Sequence, residues 1–288
     1  MDPIGSATSF DALLLVEWPL PWPQDVSEIP ALAAAAGHGG ARVMTVVPHT
    51  LDASLRVVHR RRVATHRLAG VDHVVAAAAI PDLLARILED PMADSSALAS
   101  FAGPAPAEVL VCGHGRRDTC CGRWGTQVHA ELAARGGPAR VWRCSHTGGH
   151  RFAPTAITLP DGRAWADVDA DLLEAVVART ARVAELGPHD RGNSAFDRWA
   201  QVVDRALFER LGWAWLGTEL TAQSTEVAAG KRSAHVTMSW RDEGGEHHAD
   251  ATVEVLREYP VLVCGQPPEA ATKTSQELGL ASLSLRRA

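Results

Sequence analysis

Lysine is nearly missing from this chain of 288 residues: Lys231 and Lys273 are the two that occur, and arginine carries almost all of the positive charge. That bias is one of coding and carries no function. A basic excess is lacking too, since the net charge is −6, and a nucleic-acid partner ordinarily needs a basic face. No apolar run approaches the ~18 residues of a membrane span. The N-terminus has no basic segment, and Leu13-Leu-Leu-Val16 is too short for the apolar part of a signal peptide. The sequence thus predicts a cytoplasmic protein that binds neither nucleic acid nor membrane. Cysteine is sparse, at five residues. Where thiols are kept reduced, clustered cysteines bind metal or do redox work more often than they form structural disulfides.

What remains is ordinary globular material, 46% hydrophobic and 22% charged, and the length allows more than one core. Residues 10–16 read as a buried strand, 29–36 as a short helix and 41–47 as a second strand, which implies a parallel pair. Residues 55–59 and 63–68 suggest a hairpin. Ile80, Leu83, Leu84, Ile87 and Leu88 share one helical face. His59-Arg-Arg-Arg62 reads first as a solvated face and second as a docking patch for an acidic redox partner.

Gly103-Pro-Ala-Pro106 marks a boundary. Beyond it come a strand ending at Cys112, a helix over 126–135, a strand over 141–144, a hairpin about Pro160-Asp-Gly162 and a closing helix over 171–186. That order is the order of a thioredoxin-like α/β sandwich. After Gly187-Pro188, Phe196, Trp199, Val203, Leu207 and Leu211 form a helical stripe, with Ser194-x-x-Asp197 as its capping pattern. Residues 233–240 and 249–255 alternate as two strands about Gly244-Gly245, and 261–265 read as a further short strand. The fold class is α/β. The expected division is an N-terminal α/β domain over 8–103, a thioredoxin-like domain over 104–187 and a C-terminal extension of helix and strands over 188–288.

Four of the five cysteines and two closely spaced histidines fall between Cys112 and His150. The first group is Cys112-Gly-His-Gly-Arg-Arg-Asp-Thr-Cys-Cys121 and the second Ser145-His-Thr-Gly-Gly-His150. Taken alone, C-x8-C with H-x3-H admits three readings. A structural zinc site is one, although the gap of eight excludes a zinc-finger hairpin. A thiol-dependent oxidoreductase is another, but it would want C-x-x-C, and the close pair here is the vicinal Cys120-Cys121. The third is a [2Fe–2S] cluster held by two thiolates and two imidazoles, with Gly148-Gly149 turning the backbone so that both rings face one metal.

The two motifs, the second extended through Arg151-Phe-Ala-Pro154, resemble those of the sucrase/ferredoxin-like family. The resemblance runs from about residue 10 to 186 and more weakly to the C-terminus. It implies a thioredoxin-like ferredoxin with a bis-histidinyl [2Fe–2S] cluster on Cys112, Cys121, His146 and His150. It also implies an electron carrier or redox sensor rather than a catalyst, working with a reductase or electron acceptor as its partner. Two ferric ions, two sulfides and two thiolates sum to zero, so such a cluster is easier to reduce than an all-cysteine one. Nothing in the sequence resembles a glycosidase site. Cys120 reads as a neighbour of the ligands with a packing role, and Cys144 and Cys264 as buried core. His114 reads as a solvated loop histidine. Arg116, Arg117, Arg123 and Arg151 are the cations expected around the site, with Asp118 pairing to one of them.

Overall fold

A computed structural model describes residues 1–35, 41–50, 53–90, 107–262, 264 and 267–287. The boundary expected at 103–106 lies outside the described residues. Strand β1 (Ala12–Glu17) is buried along its whole length. Its period of two sends Leu13 and Leu15 into one apolar cluster and Leu14 and Val16 into another, as a strand covered on both faces must. It pairs in parallel with β2 (Ala41–Val46) and antiparallel with β3 (Ser54–Ala64). Between β1 and β2 the expected helix is a run of 3-10 turns, Pro30–Ala35. The expected hairpin is longer than its apolar residues suggested, since β3 pairs with β4 (Arg67–Ala76) almost end to end. Helix α1 (Ile80–Glu89) then lays Ile80, Leu83, Leu84 and Leu88 on the face of Leu14 and Val16.

Strand β5 (Glu108–Cys112), helix α2 (Thr126–Ala134) and strand β6 (Arg140–Cys144) form a parallel βαβ unit. β7 (Ala156–Leu159) returns antiparallel to β5, and β8 (Arg163–Trp165) antiparallel to β7. Helix α3 (Ala170–Val177) follows and is much shorter than the expected 171–186. It is capped by the Asp169 carboxylate at its start. Its end is a left-handed residue, Arg179, with the Arg179 and Thr180 amides donating back to Val176 and Ala175, which closes the last turn and stops the helix. With β9 (Asp190–Asn193) these strands complete a nine-stranded sheet of order β4-β3-β1-β2-β6-β5-β7-β8-β9.

The two halves of that sheet meet at one backbone pair, Val46 with Cys144. An ion network reinforces the seam. Arg60 is buried and donates to Glu108 at 2.8 Å and to Asp72 at 2.9 Å. The Glu108 carboxylate also accepts from the Trp142 indole. The run His59-Arg-Arg-Arg62 is therefore neither a solvated face nor a docking patch: Arg60 is interior and Arg62 pairs with Asp11.

Helix α4 (Arg198–Leu211) is capped by Asp197, which accepts from the Trp199 and Ala200 amides; Ser194 instead accepts from Arg62. α4 packs on a four-stranded antiparallel sheet of β10 (Glu219–Val227), β11 (Ser233–Asp242), β12 (Gly245–Pro260) and β13 (Thr274–Arg287). β10 and β13 are too polar to have been expected as strands. The inward residues Val236, Met238, Ala249, Ala251 and Val253 meet Trp199, Val202 and Val203 of α4. Val261 and Leu262 lie in irregular chain, so the strand expected there is absent as far as the described residues go. Among the described residues no helix is long and apolar enough to cross a membrane.

At the β3–β4 turn, His66 is buried against Trp215 and Phe196, with Asn193 beside it. Burial, with Arg163 and Arg62 nearby, pushes its pKa down to about 3. The unfolded imidazole takes up a proton near pH 6.5, which the folded chain refuses until about 3. Stability is therefore complete above pH 6.5 and lost as the pH falls through that window, at about 1.4 kcal/mol per pH unit. Urea unfolding of wild type and His66→Gln between pH 7 and 4 checks this. The difference between the two should shrink with acid at that slope, and a constant difference would refute it.

Candidate metal centre

Cys112 is the last residue of β5 and is fully buried, with its amide donating to Thr155 and its Cα registered against Cys144 of β6. Cys121 opens a π-helical turn, Cys121–Gly125, that runs into α2. Glycines bring the two cysteines together. A Cβ on Gly125 would stand 1.8 Å from the Cys112 carbonyl oxygen, and one on Gly122 would stand 2.4 Å from the Gly115 Cα. Only without side chains there can the helix start lie against the strand end. The intervening loop is anchored by His114, whose Nε2 lies 2.8 Å from the Pro23 carbonyl with Trp22 packed at its edge. His114 is thus buried rather than solvated.

The histidine loop leaves β6 through Ser145, which exchanges hydrogen bonds with Thr45 of β2. Gly148 and Gly149 both take left-handed backbone, φ 85° and 65°, and reverse the chain as expected. The His146 and His150 rings face each other, with centroids 6.2 Å apart and planes inclined by 34°. His146 Nδ1 is buried with no partner, while His150 Nε2 lies 3.1 Å from the Leu262 carbonyl oxygen.

Three of the four residues are coupled directly. The Cys112 thiol is held well below its usual range, first by a hydrogen bond from the Cys121 thiol, then by the His146 ring and the amides of His114 and Thr147. Cys121 is pushed up because it donates to Cys112, with burial adding to the effect. Burial pushes Cys144 up, and it packs in the core as expected. No three of Cys112, Cys121, His146 and His150 bring ligand atoms within 4.8 Å of one another; the group that does so is Asp118, Cys120 and Cys264.

The cations at the centre are not those expected. Arg116, Arg117 and Arg123 are exposed. Arg151 turns toward Tyr259 and Ser275. Arg42, Arg143 and Arg191 take their place. Burial lowers the pKa of each, that of Arg191 to about 9, and the anionic neighbours that oppose the shift are cysteine sulfurs, Cys112 in all three cases. Each keeps a buried N–H without a partner: Arg42 Nη1, Arg143 Nε and Arg191 Nη1. Arg191 crosses directly under the histidine turn, where a Cβ on Gly149 would stand 2.5 Å from its Nη2. The signal that could have found Arg42 and Arg143 is an arginine inside an otherwise apolar strand, Ala41-Arg-Val-Met and Val141-Trp-Arg-Cys.

Two cysteines are corrected. Cys264 is exposed rather than core, and it forms a disulfide with Cys120, Cα–Cα 6.4 Å. Cys120 is therefore not paired with its vicinal neighbour Cys121. Among the described residues Asp118 pairs with no arginine; its Oδ1 accepts from the Cys120 amide at 2.9 Å.

No curated protein and no solved structure matches the chain. The family profile described as sucrase/ferredoxin-like matches residues 3–192, a span that takes in the segments 112–121 and 145–154 and, but for its last residue, the whole nine-stranded sheet. By that match over well more than half of its length, the chain belongs to the sucrase/ferredoxin-like family.

Proposed function

We propose that Cys112, Cys121, His146 and His150 hold a [2Fe–2S] cluster and that the protein is a one-electron carrier or redox sensor. The observation that carries this reading is the set of unpartnered buried donors around two converging cysteines. Leaving a buried donor unsatisfied costs about 1–3 kcal/mol, and His146 Nδ1, Arg42 Nη1, Arg143 Nε and Arg191 Nη1 would each be satisfied by an iron or by an anionic sulfide. The residues present fit the group.

A bound cluster would supply one-electron chemistry. The chain's own groups set its surroundings. The Cys121 thiol and the His146 ring hold Cys112 ready as a thiolate. Arg42, Arg143 and Arg191 make the pocket positive and favour whichever bound state is more negative. The cysteine side is closed to water, with Cys112 and Cys121 both fully buried. His150 is half-buried where Cys112 and Cys121 are fully buried, so the histidine side is the more open one and would face a partner. Arg116, Arg117 and Arg123 stand exposed on the segment that bears Cys121, and Trp124, next to Arg123 in sequence, is 45% exposed. They offer a redox protein with an acidic face a place to dock.

Protein purified without oxygen should be red-brown, with iron and acid-labile sulfide in equal amounts. Cys112→Ala and Cys121→Ala should lose both, while Cys144→Ala keeps the visible spectrum at a stability cost of about 1–3 kcal/mol. Stoichiometric zinc without sulfide, after expression with ample iron, would refute the proposal. The arginines make a second expectation: in Arg191→Met or Arg143→Met the reduction potential should fall by on the order of 60 mV, a tenfold shift in a one-electron equilibrium. Redox titration of the two variants reads it, and unchanged potentials in both would show that these charges do not act on the site.

A further inference from the structure

We propose that Asp118, Cys120 and Cys264 form a second metal site, separate from the four residues above, that takes a thiophilic divalent cation of the zinc class when Cys120 and Cys264 are reduced. One oxygen of Asp118 and the two sulfurs all lie within 4.8 Å of one another. The independent observation is the state of Asp118. It is 4% exposed, its Oδ1 is occupied by the Cys120 amide, and its Oδ2 is buried with no partner. A buried carboxylate with a free oxygen is costly unless a cation meets it. A disulfide offers it nothing, whereas a cation shared with two thiolates satisfies it directly.

The geometry suits such a cation. Two thiolates on zinc stand roughly 3.8 Å apart, a spacing within the 4.8 Å that already contains the three ligand atoms, and Cys264 is exposed. The three ligands line a cavity of about 360 Å³ with Trp124, His150, Arg151 and Leu262, so a water can complete a tetrahedron. Zinc with two thiolates and one carboxylate carries one negative charge, and Arg151 in the same cavity offsets it.

The chemistry balances in two steps. A dithiol or phosphine reductant gives two electrons to the Cys120–Cys264 bond and two protons complete the thiols, the reductant leaving as its disulfide or phosphine oxide. The cation then displaces both protons as it binds. In the other direction a small-molecule disulfide takes two electrons from the zinc-bound thiolates and two protons from water to leave as two thiols, the Cys120–Cys264 bond re-forms and the cation is released. The pair is thus a dithiol that either holds metal or closes as a disulfide, and in both states it fastens the chain after β12 to the segment bearing Cys121.

The test is zinc binding to iron-loaded protein reduced with a phosphine, with zinc, iron and the visible spectrum read on the same sample. Reduced wild type should bind one zinc per chain beyond what Cys264→Ser binds, and Asp118→Asn should bind it about tenfold or more weakly, at least the cost of an outer partner. Wild type with the disulfide intact should not bind it. With cobalt as probe, reduced wild type should show a thiolate-to-cobalt band that Cys264→Ser lacks. Equal zinc in wild type and Cys264→Ser, or equal binding before and after reduction, would overturn the proposal. Because the readout is a difference at Cys264, zinc held by Cys112, Cys121 and the histidines cancels, and a failure of the cluster proposal shows separately as missing iron.

Discussion

The site depends on one close approach, the start of α2 lying against the end of β5. A Cβ on Gly125 would stand 1.8 Å from the Cys112 carbonyl oxygen, a distance no side chain survives. Because that position is bare, the π-helical turn can carry Cys121 over the strand end and let its thiol donate to Cys112. The neighbouring contact of Gly122 with Gly115 folds the intervening loop flat beneath it. Register does the rest. Cys112 stands beside Cys144 in the parallel pair, so the two loops that leave those strands, one with a cysteine and one with two histidines, emerge at the same edge of the sheet, as parallel strands require.

Charge is the second constraint. Three arginines are packed around sulfur rather than around carboxylates, and burial weakens the proton affinity of each. Elsewhere the same fold pairs its buried arginines with acids: Arg60 with Glu108 and Asp72, and Arg163 with Asp190 and Asp204. The contrast is informative. A chain able to neutralise a buried guanidinium with two carboxylates leaves Arg42, Arg143 and Arg191 without a carboxylate partner among the described residues, at the place where the sulfurs of Cys112 and Cys121 converge. Those arginines are therefore suited to an anionic sulfur-bearing group, whose negative charge they would share.

The ligand motifs were legible because chemistry restricts them to few residue types at fixed spacing, and the glycine pair of the histidine loop because left-handed backbone favours glycine. The apolar strands and α1 were legible through periodicity. The arginine environment was not, since exposure cannot be read from residue type: the arginines close in sequence, Arg116, Arg117 and Arg123, point outward, while those that arrive come from β2, β6 and β9. α3 was overextended because apolar residues continue past Val177, and what ends the helix is a backbone turn at Arg179 that carries no glycine signal. β10 and β13 were missed for the opposite reason. Both are edge strands of a sheet that is apolar on one face, so few of their residues needed to be hydrophobic. Cys264 was misplaced because a short apolar run fits a strand and an exposed turn equally well.

The C-terminal sheet has a role in the site that its sequence did not announce. The family match ends at residue 192, before α4 and the four strands that pack on it. Yet the end of β12, the residues after it and the start of β13 reach back over the histidine side: the Leu262 carbonyl meets His150, Tyr259 and Ser275 receive Arg151, and Cys264 bonds to Cys120. Each contact falls on His150 or on a residue next to His150 or Cys121. The cysteine side is shielded by the nine-stranded sheet itself, which every part of the match includes. The histidine side is shielded by a segment supplied from beyond it. Access of water to His150 therefore depends on contacts from beyond the family match, from the Leu262 carbonyl and from the Cys120–Cys264 bond beside it.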